Sequence, residues 1–228
     1  MKIRLLFISW LTIVTSSWLS GCDSPTSPSS APHLIIPTFS GPVTDSDSSG
    51  AVKAITFASL FNQEISKEDL AICSGSPTSQ SDTSWTWNGR DKSGNNATWI
   101  AEKGNGFWDK GGYYWKLFID TPSGIPSVEY DGWVAGDGST GEFAIAFPPT
   151  QHYANFSWIT AGGVVIGTIG PAGGSWWLQC KSNSDKSGEI DESSRAGIVF
   201  RALWKSGGSG EWWDYDSTGA LLQHSTWQ

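Results

Sequence analysis

Two short acidic runs hold the groups best placed to do chemistry. Glu189, Asp191 and Glu192 form the first, and Glu211, Asp214 and Asp216 the second. Two carboxylates flanking a cleft are what a glycoside hydrolase requires. The first run lies in NSDKSGEIDESSR, which reads as a solvated polar loop. The second stands beside Trp212, Trp213 and Tyr215 and runs into Asp216-Ser217-Thr218-Gly219, which reads as a hairpin turn. His33, His152 and His224 are far apart, and none has a Cys or His at ligand spacing, so zinc is not expected. Asp45 to Gly50, DSDSSG, opens like a calcium loop, but that loop's twelfth position falls on Thr56. A polar turn capping a helix fits it better. The chain shows no Gly-x-Ser-x-Gly elbow, no His-Glu-x-x-His and no phosphate loop. No catalytic residue, metal or cofactor is therefore expected.

The cysteines carry a clearer signal. Lys2 and Arg4 precede an apolar run from Leu5 to Leu19, broken only by Ser and Thr. That run is short for a permanent span and has the form of a secretory signal. It ends in Leu19-Ser20-Gly21-Cys22, which resembles the lipobox of bacterial lipoproteins. The resemblance implies cleavage before Cys22, a diacylglycerol on its thiol and an acylated new amine. Two or three acyl chains anchor a protein stably where one does not. It also implies a cell-envelope location, facing the periplasm or the exterior. Asp23 resembles the inner-membrane retention signal of enteric lipoproteins, but other bacteria sort differently, so the choice of membrane stays open. Cys73 and Cys180 remain. In an exported chain an even pair is a candidate disulfide, the alternative being two separate buried thiols. Closing so long a loop would stabilise by about 4 to 5 kcal/mol in the chain-entropy picture.

Charge narrows the partners. The formal net charge is −8, and it becomes −10 once Lys2 and Arg4 leave with the leader. That excludes a nucleic-acid footprint and an electrostatic grip on anionic lipid. A glycan, a lipid or an envelope protein remains as partner, beside the membrane reached through the acyl chains. Residues 1–21 are read as signal peptide, 22–47 as the lipidated cysteine and a Ser/Pro-rich tether, and 48–228 as one β-rich domain. His33 to Ile36 interrupts the tether and is read as able to dock as a short edge strand.

The elements follow from periodicity. Val52, Ile55, Leu60, Phe61 and Ile65 fall roughly on one helical face, with Ser48 or Ser49 as cap. A second capped turn is expected at Ser66 to Asp69. Beyond Ser74, short aromatic and β-branched runs alternate with Gly, Asn, Asp and Ser. Strands are expected near 84–91, 97–103, 112–120, 128–135, 141–147, 153–160, 164–169, 175–182, 196–204, 210–216 and 219–227. Short hairpin connections make this a mainly β protein, an antiparallel meander of about 10 or 11 strands, curled or barrel-like, with a short N-terminal helix.

Strand parity gives one apolar face and one mixed face. Phe143, Ile145 and Phe147 lie opposite Glu142, Ala144 and Ala146; Tyr113, Trp115, Leu117 and Ile119 lie opposite Tyr114, Lys116, Phe118 and Asp120. The pairs Trp176-Trp177 and Trp212-Trp213 place an indole on each side. With 15 tryptophans in the chain, more rings are present than a core of this size needs, so Trp133, Trp176 and Trp212 are candidates for a binding surface. The alternative is that the helix and N-terminal segment cover them. GEWWDYDSTGALLQHSTW, residues 210–227, resembles one Gly-x-Trp…Tyr-Asp-x-x-Gly hairpin repeat of bacterial envelope proteins, and WVAGDGSTGEFAIAF is a poorer copy. The whole layout resembles bacterial lipoproteins with no established activity. Three functions are open: a non-enzymatic, lipid-anchored binding or assembly module, a carbohydrate-binding module using exposed Trp or Tyr, and an envelope hydrolase on a β scaffold.

Overall fold

The computed structural model describes residues 30–63, 65, 67–91, 93–104, 111–120, 127–147 and 152–228. The leader, Cys22 and Asp23 lie outside the described residues. The alternating runs form β1 (Ser79–Gln80), β2 (Ser84–Arg90), β3 (Asn96–Lys103), β4 (Tyr113–Ile119), β5 (Ser127–Val134), β6 (Thr140–Phe147), β7 (His152–Ala161), β8 (Val164–Pro171), β9 (Trp176–Asn183), β10 (Gly188–Ser194), β11 (Gly197–Trp204), β12 (Gly210–Tyr215) and β13 (Leu221–Trp227). Each strand pairs only with its sequence neighbours, always antiparallel, in one 13-stranded meander that does not close on itself. Two strands were not expected. β1 is two residues long. β10 occupies the stretch read as a polar loop; its alternation is carried by one apolar residue, Ile190, flanked by Glu189 and Asp191.

A repeated device aligns the hairpins. Gly141, Gly188 and Gly210 each lie directly across from an indole, that of Trp158, Trp204 and Trp227. A Cβ on these glycines would stand 2.4, 2.3 and 2.3 Å from the ring, so only glycine lets the indole lie flat there. Each indole N–H then reaches the preceding turn: Trp158 donates to the Gly138 carbonyl (3.0 Å), Trp204 to Lys186 (2.9 Å) and Trp227 to Gly208 (2.6 Å). The 210–227 stretch is one such unit. In β8–β9 the corresponding cross-strand pair is Val165 and Ser182. The indole is replaced there by a hydroxyl.

The N-terminal segment fills that gap. The Ser182 hydroxyl accepts from the Ser40 N–H (2.9 Å) and donates to the Ser40 carbonyl (3.2 Å), while the Phe39 ring covers Gly167. The segment begins near the β5–β6 turn, where Ile35 packs on Gly138, and reaches the last strand, where the Thr44 hydroxyl donates to the Gln228 carbonyl (3.0 Å). Residues 31–44 are therefore a docked strap, not the outer part of a free tether, and they form no strand.

Helix α1 (Ser49–Phe61) runs back across the sheet. The Ser48 hydroxyl caps it by accepting from the Ala51 N–H (3.2 Å). Its buried face is Gly50, Ala51, Ala54, Ala58 and Phe61, whereas Val52 and Ile55 point to solvent. Of the expected apolar face, Leu60, Phe61 and Ile65 do pack inward, but Val52 and Ile55 do not, because a helix lying this close to a sheet needs small side chains beneath it. Phe61 joins Phe39 (ring centroids 4.9 Å) and Phe156 (6.4 Å). Helix α2 (Lys67–Ile72) lies on β2 and β3, where Ile72 fits over Gly89 and the Trp99 N–H donates to the Asp69 carbonyl (2.7 Å). Between the helices the apolar face is a run of contacting rings: Trp99 on Tyr130, Phe143 on Trp158, and Trp158 against Phe156.

Candidate functional site

Strap and helices all lie on the apolar face, and among the described residues nothing covers the mixed face. The register there has an unusual consequence. Tyr114, Trp133, Glu142, Ser157 and Thr168 are successive cross-strand partners on β4 to β8. The same line continues through Gln179, Asp191, Arg201, Trp213 and His224 on β9 to β13. Among the described residues β-bulges occur at Leu117/Phe118, Glu192/Ser193 and Asp214/Tyr215, and none interrupts this line. Partners on neighbouring strands stand about 4.8 Å apart. One continuous row of polar and aromatic side chains thus crosses ten strands, every member at least partly exposed.

The row is held in place locally. The Arg201 guanidinium makes two hydrogen bonds to Asp191 (2.7 and 2.6 Å) and meets Glu189 at 3.3 Å. The Asp191 bonds fix the cationic form of Arg201 even more firmly than usual. The Trp213 ring lies on His224, centroids 4.8 Å apart and planes within 2°, and Glu211 meets the imidazole at 3.3 Å. The Tyr114 hydroxyl donates to Asp131, and burial followed by that bond pushes its pKa up to about 12. Over β5 to β9 the row borders an open cleft of about 420 Å³. Its lining includes Trp133, Glu142, Ser157, Thr168 and Gln179 from the row, and Thr140, Ile159 and Ile166 from the next line of partners.

The expected surface tryptophans fall differently. Trp133 is on the mixed face, half-buried, in the row. Trp176 is exposed at 43%, at the strand's start, and its neighbour Trp177 at 38%. Trp212 is not a surface residue: it is 3% exposed beneath Gly50 of α1, and its neighbour Trp213 takes the outward place. Parity showed that the pair divides between faces, but only the docked helix decides which member goes inside. Glu142, Ser157, Thr168, Gln179 and His224 had no sequence signal of their own, since polar residues on alternate strand positions are ordinary; only the register joins them.

The acidic runs separate. Glu189 and Asp191 hold Arg201 on the mixed face, while Glu192 turns to the other face and binds Lys53 (3.0 Å). Asp214 also meets Lys53 (3.6 Å), Glu211 meets His224, and Asp216 accepts from the Thr218 and Ala220 N–H groups in the last turn. The carboxylates that come together do so around a cation, Glu189 and Asp191 on Arg201 and Glu192 and Asp214 on Lys53. Among the described residues no group of three His, Cys, Asp or Glu is placed to hold a metal ion.

Cys73 and Cys180 are separate buried thiols, which corrects the expected bridge. Cys73 follows α2 above β2 and β3, and its thiol donates to the Leu70 carbonyl (3.3 Å); Cys180 faces the core from β9. The docking of α2 onto the early strands keeps the two apart. Burial pushes both thiols up to about 12.

No protein-family profile, curated protein or solved structure matches the chain at a significant level.

Proposed function

We propose that the protein is a non-enzymatic binding module, anchored to a bacterial envelope membrane through acylated Cys22, and that it binds through the mixed face of its sheet. The observation that carries this is the division of labour between the two faces. Among the described residues, everything that covers the sheet, two helices and a strap, lies on one side. The other presents a continuous row in which Asp191 holds Arg201 and Trp213 lies on His224. A rigid array of this kind loses little conformational freedom when it meets a ligand. The anchor rests on the basic start, the apolar run and Leu19-Ser20-Gly21-Cys22.

Two measurements test the two halves. Fatty-acid labelling in cells is expected to mark the protein and to miss Cys22→Ala; equal labelling refutes the anchor. A photoreactive residue at Gln179 is expected to crosslink in intact cells, and one at Val52, on the solvent side of α1, is not. Equal or absent crosslinking from the two sites refutes the binding face.

A further inference from the structure

We propose that the cleft over β5 to β9 binds a neutral polysaccharide whose chain lies along the row, across the strands. This rests on the binding-face reading above and adds the chemistry of the ligand.

The cleft has two unlike rails. On one, Glu142, Ser157, Thr168 and Gln179 offer a carboxylate that accepts and then two hydroxyls and an amide that both donate and accept, at strand spacing. On the other, Ile159 and Ile166 face them, and Thr140 has its hydroxyl engaged by the Trp158 carbonyl (3.0 Å). The indole of Trp133 stands at the β5 end. A sugar ring has matching surfaces: hydroxyls around its edge, each both donor and acceptor, and apolar C–H groups on its faces. The rail of mixed polar groups suits the edge, and the indole and isoleucines suit the faces.

Other ligand classes match less well. Glu142 is the charged group in the lining, no Lys or Arg joins it, and the whole chain carries −8, so an anionic polymer is repelled. An acyl chain would strip water from a carboxylate, two hydroxyls and an amide and return no hydrogen bonds.

The row also sets the direction and the size. Beyond the cleft it continues through the Asp191–Arg201 pair to Trp213, whose ring is fixed by His224. From Trp133 on β5 to Trp213 on β12 is seven strand spacings, about 34 Å. A single sugar cannot reach both indoles, and a chain lying across the strands can.

The full chain in detergent is run by affinity electrophoresis through gels containing a cellulose-type glucan, a galactomannan, a laminarin-type glucan, a chitin-type polymer or alginate. At least one neutral polymer is expected to retard it, and the acidic alginate is not. Trp133→Ala and Gln179→Ala should each weaken retardation roughly tenfold. Gln179 is exposed, so that variant keeps its fold, checked by near-UV dichroism and melting. Trp213→Ala should weaken the polymer but leave binding of a short oligosaccharide of the same sugar unchanged. No retardation by any neutral polymer, preference for alginate, or unaltered binding by the Trp133 and Gln179 variants overturns the proposal, and equal losses for polymer and oligosaccharide in Trp213→Ala overturn the crosswise path. If the glycan fails while Gln179 still crosslinks to a protein in cells, the binding face stands with a different partner. If both fail, the face itself is refuted.

Discussion

Cys180 and Cys73 show how burial governs a side chain's chemistry. Both thiols sit among apolar groups, where a thiolate would be unsolvated, and both are pushed up to about 12 from an ordinary value of 9.0. The folded chain therefore holds these protons more tightly than the unfolded one. The stability tied to them is complete below about pH 9 and drains away as pH rises toward 12. Urea titrations from pH 8 upward are expected to show this fall, and Cys180→Ala and Cys73→Ala each to flatten it relative to wild type. Tyr114 also titrates late, near 12, and is common to all three proteins, so the comparison isolates the thiols. A thiol reagent should label the native protein slowly and the denatured protein at both sites. Rapid native labelling at pH 8 would show that the thiols are reachable and the burial argument wrong.

At the scale of elements, the contact between α1 and β12 is the most exacting. Gly50 rests on the Trp212 ring, and a Cβ there would stand 2.0 Å from it, so Gly50→Ala forces the helix or the indole to move. Amide exchange in α1 and β12 is expected to rise together in that variant, with β2 and β3 unchanged; faster exchange throughout would mean that α1 is not a separable layer. The same contact marks the boundary of what the sequence reveals. Eleven strands were legible from alternation, aromatic content and Gly-rich turns. β10 was not, because Glu189, Asp191 and Glu192 read as solvent-facing charge, and their ion pairs with Arg201 and Lys53 are made with other elements. α1 was legible as a helix, but its buried face was not, since an alanine face looks weak until the sheet is placed beneath it. Trp133 was found by parity, whereas the rest of the row depends on cross-strand register, which turn lengths and bulges fix only once the whole meander is built.

For the whole molecule, the meander and the strap contribute differently. Hairpins join neighbours in sequence and can form locally. The strap closes contacts far apart in the chain, Ser40 to Ser182 and Thr44 to Gln228. Phe39 is the centre of that closure, 2% exposed and packed on Phe61 and Phe156. Phe39→Ala is expected to cost about 3–5 kcal/mol in equilibrium unfolding. The loss should appear mainly as faster unfolding with folding little changed, because the strap docks on a sheet that is already paired. A matching slowdown of folding would mean instead that the strap helps to nucleate the sheet.

The course of the strap also determines how the molecule answers a pull. It crosses the ends of the hairpins, from Ile35 at the β5–β6 turn to Val43 at the β11–β12 turn. Tension applied at residue 30 meets its contacts in sequence: first Ala31, Leu34 and Ile36, then Phe39, then the Ser40 clasp. Contacts loaded one after another peel like a zip, at low force, while strands loaded side by side resist in shear. A protein held at its start and gripping something on its mixed face would therefore yield first at the strap. The thirteen strands and the row they carry would stay intact, and the released residues would lengthen the leash.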